Sequence, residues 1–156
     1  MPAEPLIPMD RWNLEKVLFG PEEIRKTNAQ RFEMEHLDAV TLLDTAAQEI
    51  VGYKDVRADE FWVPGHIPGR PIFPGVLMIE AAAQVARFGT LMRLKDRFMG
   101  FAGVDEVKFR GQVVPGDRLI LLGFETDFRP RRVVCQGQGW VNGNLVFEAK
   151  ITGMPM

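Results

Sequence analysis

The sequence contains a single cysteine, Cys135, so it can form no intrachain disulfide and fits the reducing conditions of the cytoplasm. Its two histidines, with one cysteine, are too few for a typical His/Cys zinc site. No apolar run approaches the roughly 18 residues that a membrane span requires. Residues 1–10 carry three prolines and no basic region, unlike a secretory signal. These absences predict a cytoplasmic protein with no metal site and no membrane insertion.

Charge of neither sign dominates the whole chain, but the two parts differ. Residues 1–60 carry 7 basic and 13 acidic side chains, whereas residues 61–156 carry 12 basic and 8 acidic ones, giving the net charge of −2. A chain this acidic is not a dedicated nucleic-acid binder. The basic excess after residue 60 allows a local surface that meets an acidic protein partner. With 46% apolar residues over 156 positions, the composition is typical of one globular domain.

The first part of the chain divides into an arm and the start of a domain. Residues 1–20 are predicted to form a loose N-terminal arm with a short amphipathic stretch at residues 12–19. Pro21 and the two glutamates after it indicate a helix start, because proline fits the first turn and carboxylates favour the positive end of the helix dipole. This helix should end near Asn28. We therefore assign residues 21–156 to a single domain.

Strand patterns lie on both sides of a long helix candidate. Short strand-like runs at residues 40–43 and 49–53 precede a loop at 64–74, whose four prolines and two glycines exclude regular structure. Later strands are predicted at residues 104–114, 118–128, 132–141 and 145–151. Asn142-Gly143 is the strongest turn signal between them, since this pair favours a two-residue hairpin. Successive hairpins predict an antiparallel sheet.

Residues 76–92 are apolar on almost every side, which predicts a helix about 25 Å long that is buried on every side. Its polar exceptions, Glu80, Gln84 and Arg87, are spaced i, i+4 and i+7 and share one narrow stripe. A buried carboxylate is costly unless it is paired or used. The predicted fold class is α+β, with one long central helix and an antiparallel sheet curved around it.

Three residues could act together in proton transfer. His66 is held in the Pro/Gly loop, where a neutral imidazole can act as a general base. Glu80 follows 14 residues later, where burial would raise the pKa of a carboxyl group and keep a proton available. Gly75 would present a free backbone N–H at the helix start to a developing oxyanion. This set suits proton abstraction α to a carbonyl followed by loss of a β-substituent.

Each residue also has a simpler interpretation. His66 could only hydrogen-bond its own turn, and Gly75 could only satisfy turn geometry. Gln84, one turn after Glu80, could orient the carboxyl group or lie as a polar residue at the helix surface. Cys135 lies within a predicted strand and is interpreted as inert packing.

The motifs that contain these residues resemble the central motif of the bacterial 3-hydroxyacyl-[acyl-carrier-protein] dehydratases. The resemblance spans roughly residues 35–151. It is carried by Gly65-His66-Ile67-Pro68-Gly69-Arg70-Pro71, Pro74-Gly75-Val76-Leu77, Glu80-Ala81, Ala83-Gln84, Phe101-Ala102-Gly103-Val104-Asp105, Lys108-Phe109-Arg110 and Val113-Val114-Pro115-Gly116-Asp117.

This resemblance implies the hot-dog fold and dehydration of (3R)-3-hydroxyacyl thioesters on acyl carrier protein to trans-2-enoyl thioesters in fatty-acid elongation, with no cofactor and no metal. It makes His66 the catalytic histidine, Glu80 the catalytic acid and Gly75 the amide donor to the thioester carbonyl. It also implies a homodimer in which His66 of one subunit faces Glu80 of the other, with a trimer of dimers as a further assembly. A glutamate at position 80 is similar to the branch that dehydrates without isomerising the double bond.

The chain departs from the family pattern before the first predicted strand and around the Pro/Gly loop. Residues 35–39 keep a histidine, His36, but lack the family's arginine and both prolines, so His36 is interpreted as structural. A tryptophan and a valine precede the catalytic loop where the family has paired phenylalanines, and an isoleucine follows the catalytic histidine in place of phenylalanine. The acyl-tunnel candidates are Trp62, Val63, Ile67 and Phe73.

Two groups of basic residues follow the central helix and flank a later turn. They are Arg93, Lys95 and Arg97, and Arg129, Arg131 and Arg132. Solvated surface is the default interpretation of both groups. The resemblance gives either one an acidic partner, because the carrier protein of this pathway is strongly acidic.

Two other functions remain open at this point. A hot-dog acyl thioesterase would need a carboxylate that activates water at the thioester carbonyl, and it would not need His66. A non-catalytic acyl-binding subunit of a related complex would fit the altered residues 35–39. The presence of both His66 and Glu80 argues against this last function.

Overall fold

One long helix lies against one face of an antiparallel sheet. The computed structural model describes residues 2–95 and 97–156, and its elements are α1 (Pro21–Arg25), β1 (Ala39–Asp44), β2 (Glu49–Asp55), α2 (Gly75–Arg93), β3 (Met99–Phe109), β4 (Arg118–Arg129), β5 (Arg132–Val141) and β6 (Asn144–Pro155). The strands form one sheet in the order β1-β2-β4-β5-β6-β3, and each neighbouring pair is antiparallel. This architecture confirms the predicted α+β class.

Apolar side chains on the two faces of the sheet form two separate core layers. Ile50 and Leu121 pack with Phe88 of α2 in the main core. Val51 and Leu122, their neighbours along β2 and β4, belong to a second cluster that contains no residue of α2. Successive side chains of a strand point to opposite faces, so the sheet is apolar on both of its faces. Both faces must therefore be covered.

The N-terminal arm covers the face of the sheet opposite to α2. The sequence predicts a loose arm, and this prediction is wrong. Ile7 and Trp12 are buried in the second cluster, and the rings of Trp12 and Trp140 lie 6.0 Å apart. Trp12 Nε1 donates to the Ile7 carbonyl at 2.7 Å, and the Thr41 hydroxyl donates to the Trp12 carbonyl at 2.6 Å. Burial of apolar surface that would otherwise meet water holds the arm in place. The domain boundary at residue 20 stays a prediction.

Strand β3 occupies residues Met99–Phe109 rather than the predicted 104–114. Its register with β6 shifts at a bulge near Glu106, whose φ is +52°. After β3, the Val113 carbonyl accepts the backbone N–H of Phe73 at 2.7 Å. The backbone amides of Arg110 and Gly111 still donate to the Val146 carbonyl of β6, whereas Val113 bonds the Pro/Gly loop. The chain therefore leaves the sheet after residue 111, which the alternating pattern does not reveal. The other predicted strands agree with the structure apart from their ends.

Helix α2 confirms the predicted long helix, but within one chain it is buried on one side only. Met78, Val85 and Phe88 are at most 2% exposed against the sheet, whereas Glu80 and Arg87 are half-buried. The predicted burial of α2 on every side is thus not found within one chain, because a single sheet covers only one side of the helix. Within the described residues, no helix is long and apolar enough to cross a membrane.

Candidate active site

The loop at residues 64–74 fixes the orientation of His66. The backbone N–H of His66 donates to the Trp62 carbonyl at 2.7 Å, and its ring Nδ1 lies 2.6 Å from the Ile72 carbonyl oxygen. Because a carbonyl only accepts hydrogen bonds, Nδ1 carries the proton of the neutral ring. Nε2 is thereby left as an acceptor. His66 can therefore hydrogen-bond its own turn through Nδ1 and still act as a base through Nε2.

Gly75 begins α2 against an aromatic ring. A Cβ at this position would lie 2.9 Å from ring atoms of Phe109, closer than real Cβ contacts allow. The amides of Leu77 and Met78 return to the Pro74 carbonyl, so the Gly75 amide precedes the first bonds of the helix. The contact is with the outer end of the Phe109 side chain, which is 52% exposed, so close packing alone does not require glycine here. The role of Gly75 as an oxyanion donor stays a prediction.

Gln84 holds the carboxyl group of Glu80. Its Nε2 donates to Glu80 Oε1 at 2.8 Å and to the Met34 carbonyl at 2.6 Å, while its Oε1 accepts the backbone N–H of His36 at 2.8 Å. The side chain is only 2% exposed, so it is not a polar residue at the helix surface. These contacts fix the position of Glu80 relative to the segment before β1. The chemical role of Glu80 stays a prediction.

Glu80 borders a cavity of about 220 Å³ between α2 and the strands β3, β5 and β6. The lining residues are Gln30, Glu80, Ala83, Ala86, Arg87, Thr90, Phe98, Met99, Gly100, Phe101, Val133, Cys135, Ile151, Thr152 and Gly153. His66 is not one of them. Within one chain, the structure therefore does not bring the predicted base and acid to a common cavity.

The four acyl-tunnel candidates lie outside this cavity. Trp62 and Phe73 are buried in the main core with ring centroids 5.4 Å apart. Val63 is half-buried, and Ile67 is 48% exposed with a φ of +62°. Their part in an acyl tunnel stays a prediction.

A buried ion pair supports this loop, and sequence reasoning missed it. Lys54 Nζ lies 2.8 Å from Glu60 Oε1, with the side chains 2% and 6% exposed. Burial alone would raise the pKa of Glu60, but the hydrogen bonds from Lys54 and the Arg57 backbone, the charge of Lys54 and the Trp62 side chain together hold the pKa below its usual value. Lys54 also lies 5.6 Å from the centre of the Phe73 ring. A lysine and a glutamate six residues apart give no signal of their own in the sequence.

His36 is structural in its surroundings, as its sequence context indicates. It is 1% exposed, and its ring lies edge-on to Phe73 at 5.9 Å. Neither ring nitrogen has a hydrogen-bond partner among the described residues. Burial, and then the charge of Lys54, lowers the pKa of His36 from 6.5 to about 4. His36 is therefore neutral in the folded protein at neutral pH.

We expect this histidine to make stability depend on pH. Between about pH 6.5 and pH 4 the unfolded chain binds a proton at His36 and the folded chain does not, so the free energy of unfolding falls as the pH falls. The loss is on the order of 3 kcal/mol at most. Urea unfolding of the wild type and of His36→Phe across this window measures it, since phenylalanine keeps the ring contact. Equal slopes for both proteins would contradict the assignment.

The predicted docking residues are partly engaged within the chain. Arg93 pairs with Glu125 at 2.8 Å and lies 3.9 Å from the centre of the Phe128 ring. Arg129 and Arg132 both pair with Asp127. Lys95, Arg97 and Arg131 are exposed. Docking by either group stays a prediction.

Cys135 lies in the interior of the protein. Cys135 is buried, and burial raises the pKa of its thiol to about 12, in agreement with inert packing. Across residues 2–95 and 97–156, no three His, Cys, Asp or Glu side chains come together as a metal-binding group.

A long helix packed against a six-stranded antiparallel sheet defines the hot-dog fold. A family model described as a FabA-like domain matches residues 28–150. The chain belongs to this FabA-like family.

Individual relatives agree with this assignment. The 3-hydroxyacyl-[acyl-carrier-protein] dehydratase FabZ of Clostridium beijerinckii is 39% identical over 132 residues, which are 83% of this chain and 93% of the relative. The FabZ of Bacillus velezensis is 37% identical over 140 residues, covering 86% of this chain and 96% of its own.

Solved structures share the fold at low identity. The dehydratase heterocomplex ApeI:P from Xenorhabdus doucetiae has a TM-score of 0.72 at 14% identity, over 85% of this chain and 90% of that chain. A hypothetical thioesterase with coenzyme A from Streptococcus pneumoniae has a TM-score of 0.63 at 11% identity, over 86% and 95%. Because a dehydratase complex and a protein described as a hypothetical thioesterase share this fold, the fold alone does not choose between the two reactions.

Proposed function

We propose that the protein dehydrates (3R)-3-hydroxyacyl-[acyl-carrier-protein] to trans-2-enoyl-[acyl-carrier-protein] in fatty-acid synthesis. The observation that carries the proposal is the His66 ring, whose Nδ1 is committed to the Ile72 carbonyl and whose Nε2 is left to accept a proton. The FabZ relatives at 37% and 39% identity over most of the chain support it. The cytoplasmic location predicted from the sequence is part of the proposal.

Each residue has one task in the reaction. Nε2 of His66 takes the proton from the α-carbon, while the backbone N–H of Gly75 stabilises the negative charge that develops on the thioester oxygen. The β-carbon–oxygen bond then breaks, and the carboxylic acid of Glu80 protonates the departing hydroxyl, which leaves as water. Gln84 holds Glu80 at 2.8 Å throughout and is a positioning residue. The imidazolium and the carboxylate exchange protons with solvent to complete the cycle.

The active site is proposed to be shared between two copies of the chain. The stripe of α2 with Glu80 is half-buried, and the adjacent edge strand β3 exposes Phe101 and Phe109 by 53% and 52%. An edge strand with exposed aromatic side chains favours pairing with a second chain. Such a dimer would bring His66 of one subunit to Glu80 of the other. Assembly into a trimer of dimers belongs to the same proposal.

A shared site predicts recovery of activity in mixed dimers. In a dimer of one His66→Ala and one Glu80→Gln subunit, one site collects both substitutions and the other collects neither. Random mixing of equal amounts should therefore restore about a quarter of the wild-type activity. The two inactive variants are unfolded together, refolded and assayed, with subunit exchange followed by mass spectrometry. Activity no higher than the average of the separate variants, despite exchange, would show that each site uses one chain.

The carrier protein is proposed to dock through exposed cations that follow α2 and flank the turn between β4 and β5. Lys95, Arg97 and Arg131 are exposed, whereas Arg93, Arg129 and Arg132 already hold carboxylates. Exposed charges act mainly on encounter with an oppositely charged partner, so they should affect KM more than kcat.

One assay tests the proposed reaction against its alternatives. The protein is incubated with 3-hydroxybutyryl-[acyl-carrier-protein] and with a small neutral carrier mimic, while enoyl absorbance and free thiol are recorded. Enoyl formation without thiol supports dehydration, whereas thiol release would support a thioesterase. Binding of the substrate without either product would support a non-catalytic subunit. Charge reversal at Lys95, Arg97 and Arg131 should raise KM for the carrier-bound substrate and leave KM for the neutral mimic nearly unchanged, which would support docking by the exposed cations.

A further inference from the structure

The cavity beside Glu80 contains a second charged residue with no part in the proposed reaction. Glu80 and Arg87 are the only Asp, Glu, Lys or Arg side chains among its described lining residues. The rest of the wall is mainly apolar and backbone, from Ala83 and Ala86 on α2 to Ile151 on β6. A guanidinium in such a wall is costly unless something pairs with it.

Arg87 is incompletely satisfied by the protein. One terminal nitrogen donates to the Met99 carbonyl, and the guanidinium carbon lies 5.0 Å from the centre of the Phe98 ring. Its Nε is buried without a hydrogen-bond partner, and no ion pair is found for it in the part of the chain that the structure describes. Burial lowers the pKa of Arg87, and the charge of Glu80 opposes this only in part. Within the described part of one chain, the cavity therefore holds a cation that forms no ion pair, and Glu80 acts on it only from beyond ion-pair distance.

The position of Arg87 sets which part of a substrate it would meet. Seven residues separate it from Glu80, which is about 10 Å along the helix, on the same stripe. The guanidinium is held beside Phe98 and Met99, where the chain enters β3 after the end of α2. If the β-carbon of an acyl chain lies at Glu80, the far end of a medium-length chain lies at Arg87.

The chemistry at that end favours an anion. A hydrocarbon terminus would remove water from the guanidinium without replacing its hydrogen bonds. A carboxylate would accept two of them, because the planar fork of arginine matches carboxylate geometry. We propose that Arg87 makes this cavity selective for 3-hydroxyacyl chains that end in a carboxylate. This inference rests on the proposed function, because it places the acyl chain beside Glu80.

Matched substrates test the selectivity. The ratio of kcat/KM for 3-hydroxysuberoyl- over 3-hydroxyoctanoyl-[acyl-carrier-protein], which differ by the terminal carboxylate, is measured for the wild type and for Arg87→Met. The wild type should prefer the carboxylate chain, and Arg87→Met should lower the ratio about 10- to 100-fold, as expected for a charge-assisted hydrogen bond. Arg87→Lys should retain part of the preference. Because the readout is a ratio, a merely structural loss would lower both rates and leave it unchanged.

Arg118→Met is a matched control, because it also removes an arginine that lies over an aromatic ring. Arg118 lies 3.9 Å from the centre of the Tyr53 ring and pairs with Asp55, away from the cavity, so Arg118→Met should leave the ratio unchanged. A wild-type preference for 3-hydroxyoctanoyl chains, or the same ratio in Arg87→Met, overturns the inference.

Binding distinguishes this inference from the proposed reaction. Calorimetry with suberoyl- and octanoyl-pantetheine on the wild type and Arg87→Met measures the same preference without turnover. Preferential binding that needs Arg87, in a protein that dehydrates neither substrate nor 3-hydroxybutyryl-[acyl-carrier-protein], would support the anion-binding pocket and overturn the proposed reaction. Dehydration without any preference in rate or binding would do the reverse.

Discussion

His66→Ala is expected to lower kcat for dehydration about 10²–10⁴-fold, the usual contribution of a general base. The His66 ring is oriented by the Ile72 carbonyl at 2.6 Å. The substitution therefore removes a base that is already in position before the reaction begins. The surrounding loop should survive, because its hydrogen bonds from His66 and Phe73 to the rest of the chain are made by backbone groups. Steady-state rates in both directions are measured beside circular dichroism.

Added imidazole provides the control for this variant. If the missing group is the base, free imidazole should enter the vacated space and restore part of the rate with a pH dependence of its own. Rescue would not be expected if the substitution merely distorted the loop. A folded His66→Ala protein with a rate near that of the wild type would remove His66 from the mechanism.

The sequence predicts those features that local patterns determine. Helix α2 and the loop before it are predictable because a long apolar run and closely spaced prolines have few structural solutions. The Asn142-Gly143 hairpin joins β5 and β6 as predicted. The end of β3 is not predictable in this way, because the carbonyl of Val113 bonds Phe73, 40 residues away in the chain.

The candidate site shows the same division. Gln84 was predictable as a partner of Glu80, since residues four apart lie on one face of a helix. Its contacts with Met34 and His36 depend on the fold and have no sequence signal. The packing of Ile7 and Trp12 escaped prediction for a related reason: three prolines suggest a loose arm, and only the sheet shows an apolar face to cover.

Lys54→Met is expected to destabilise the protein by about 3–5 kcal/mol, because it leaves the buried carboxylate of Glu60 without its partner. This is a large share of the roughly 5–15 kcal/mol that stabilises a typical domain. The contact of Lys54 with the Phe73 ring, 5.6 Å away, is lost as well. Urea unfolding at neutral pH gives the free energy directly. Arg57→Met is the control, since the Arg57–Asp59 pair is 60% and 77% exposed and should contribute little to stability.

The double variant Lys54→Met/Glu60→Leu decides what the pair does. Removing both charges removes the unpaired carboxylate, so most of the stability should return. Glu60 Oε2 also accepts the backbone N–H of Arg57 at 2.7 Å, and this bond is lost with the carboxylate. If kcat is well below the wild-type value in a double variant of restored stability, the pair positions the loop that carries His66. If kcat returns with stability, the pair serves folding alone. A single variant that loses less than about 1 kcal/mol would show that Glu60 finds solvent or another partner, contrary to its burial.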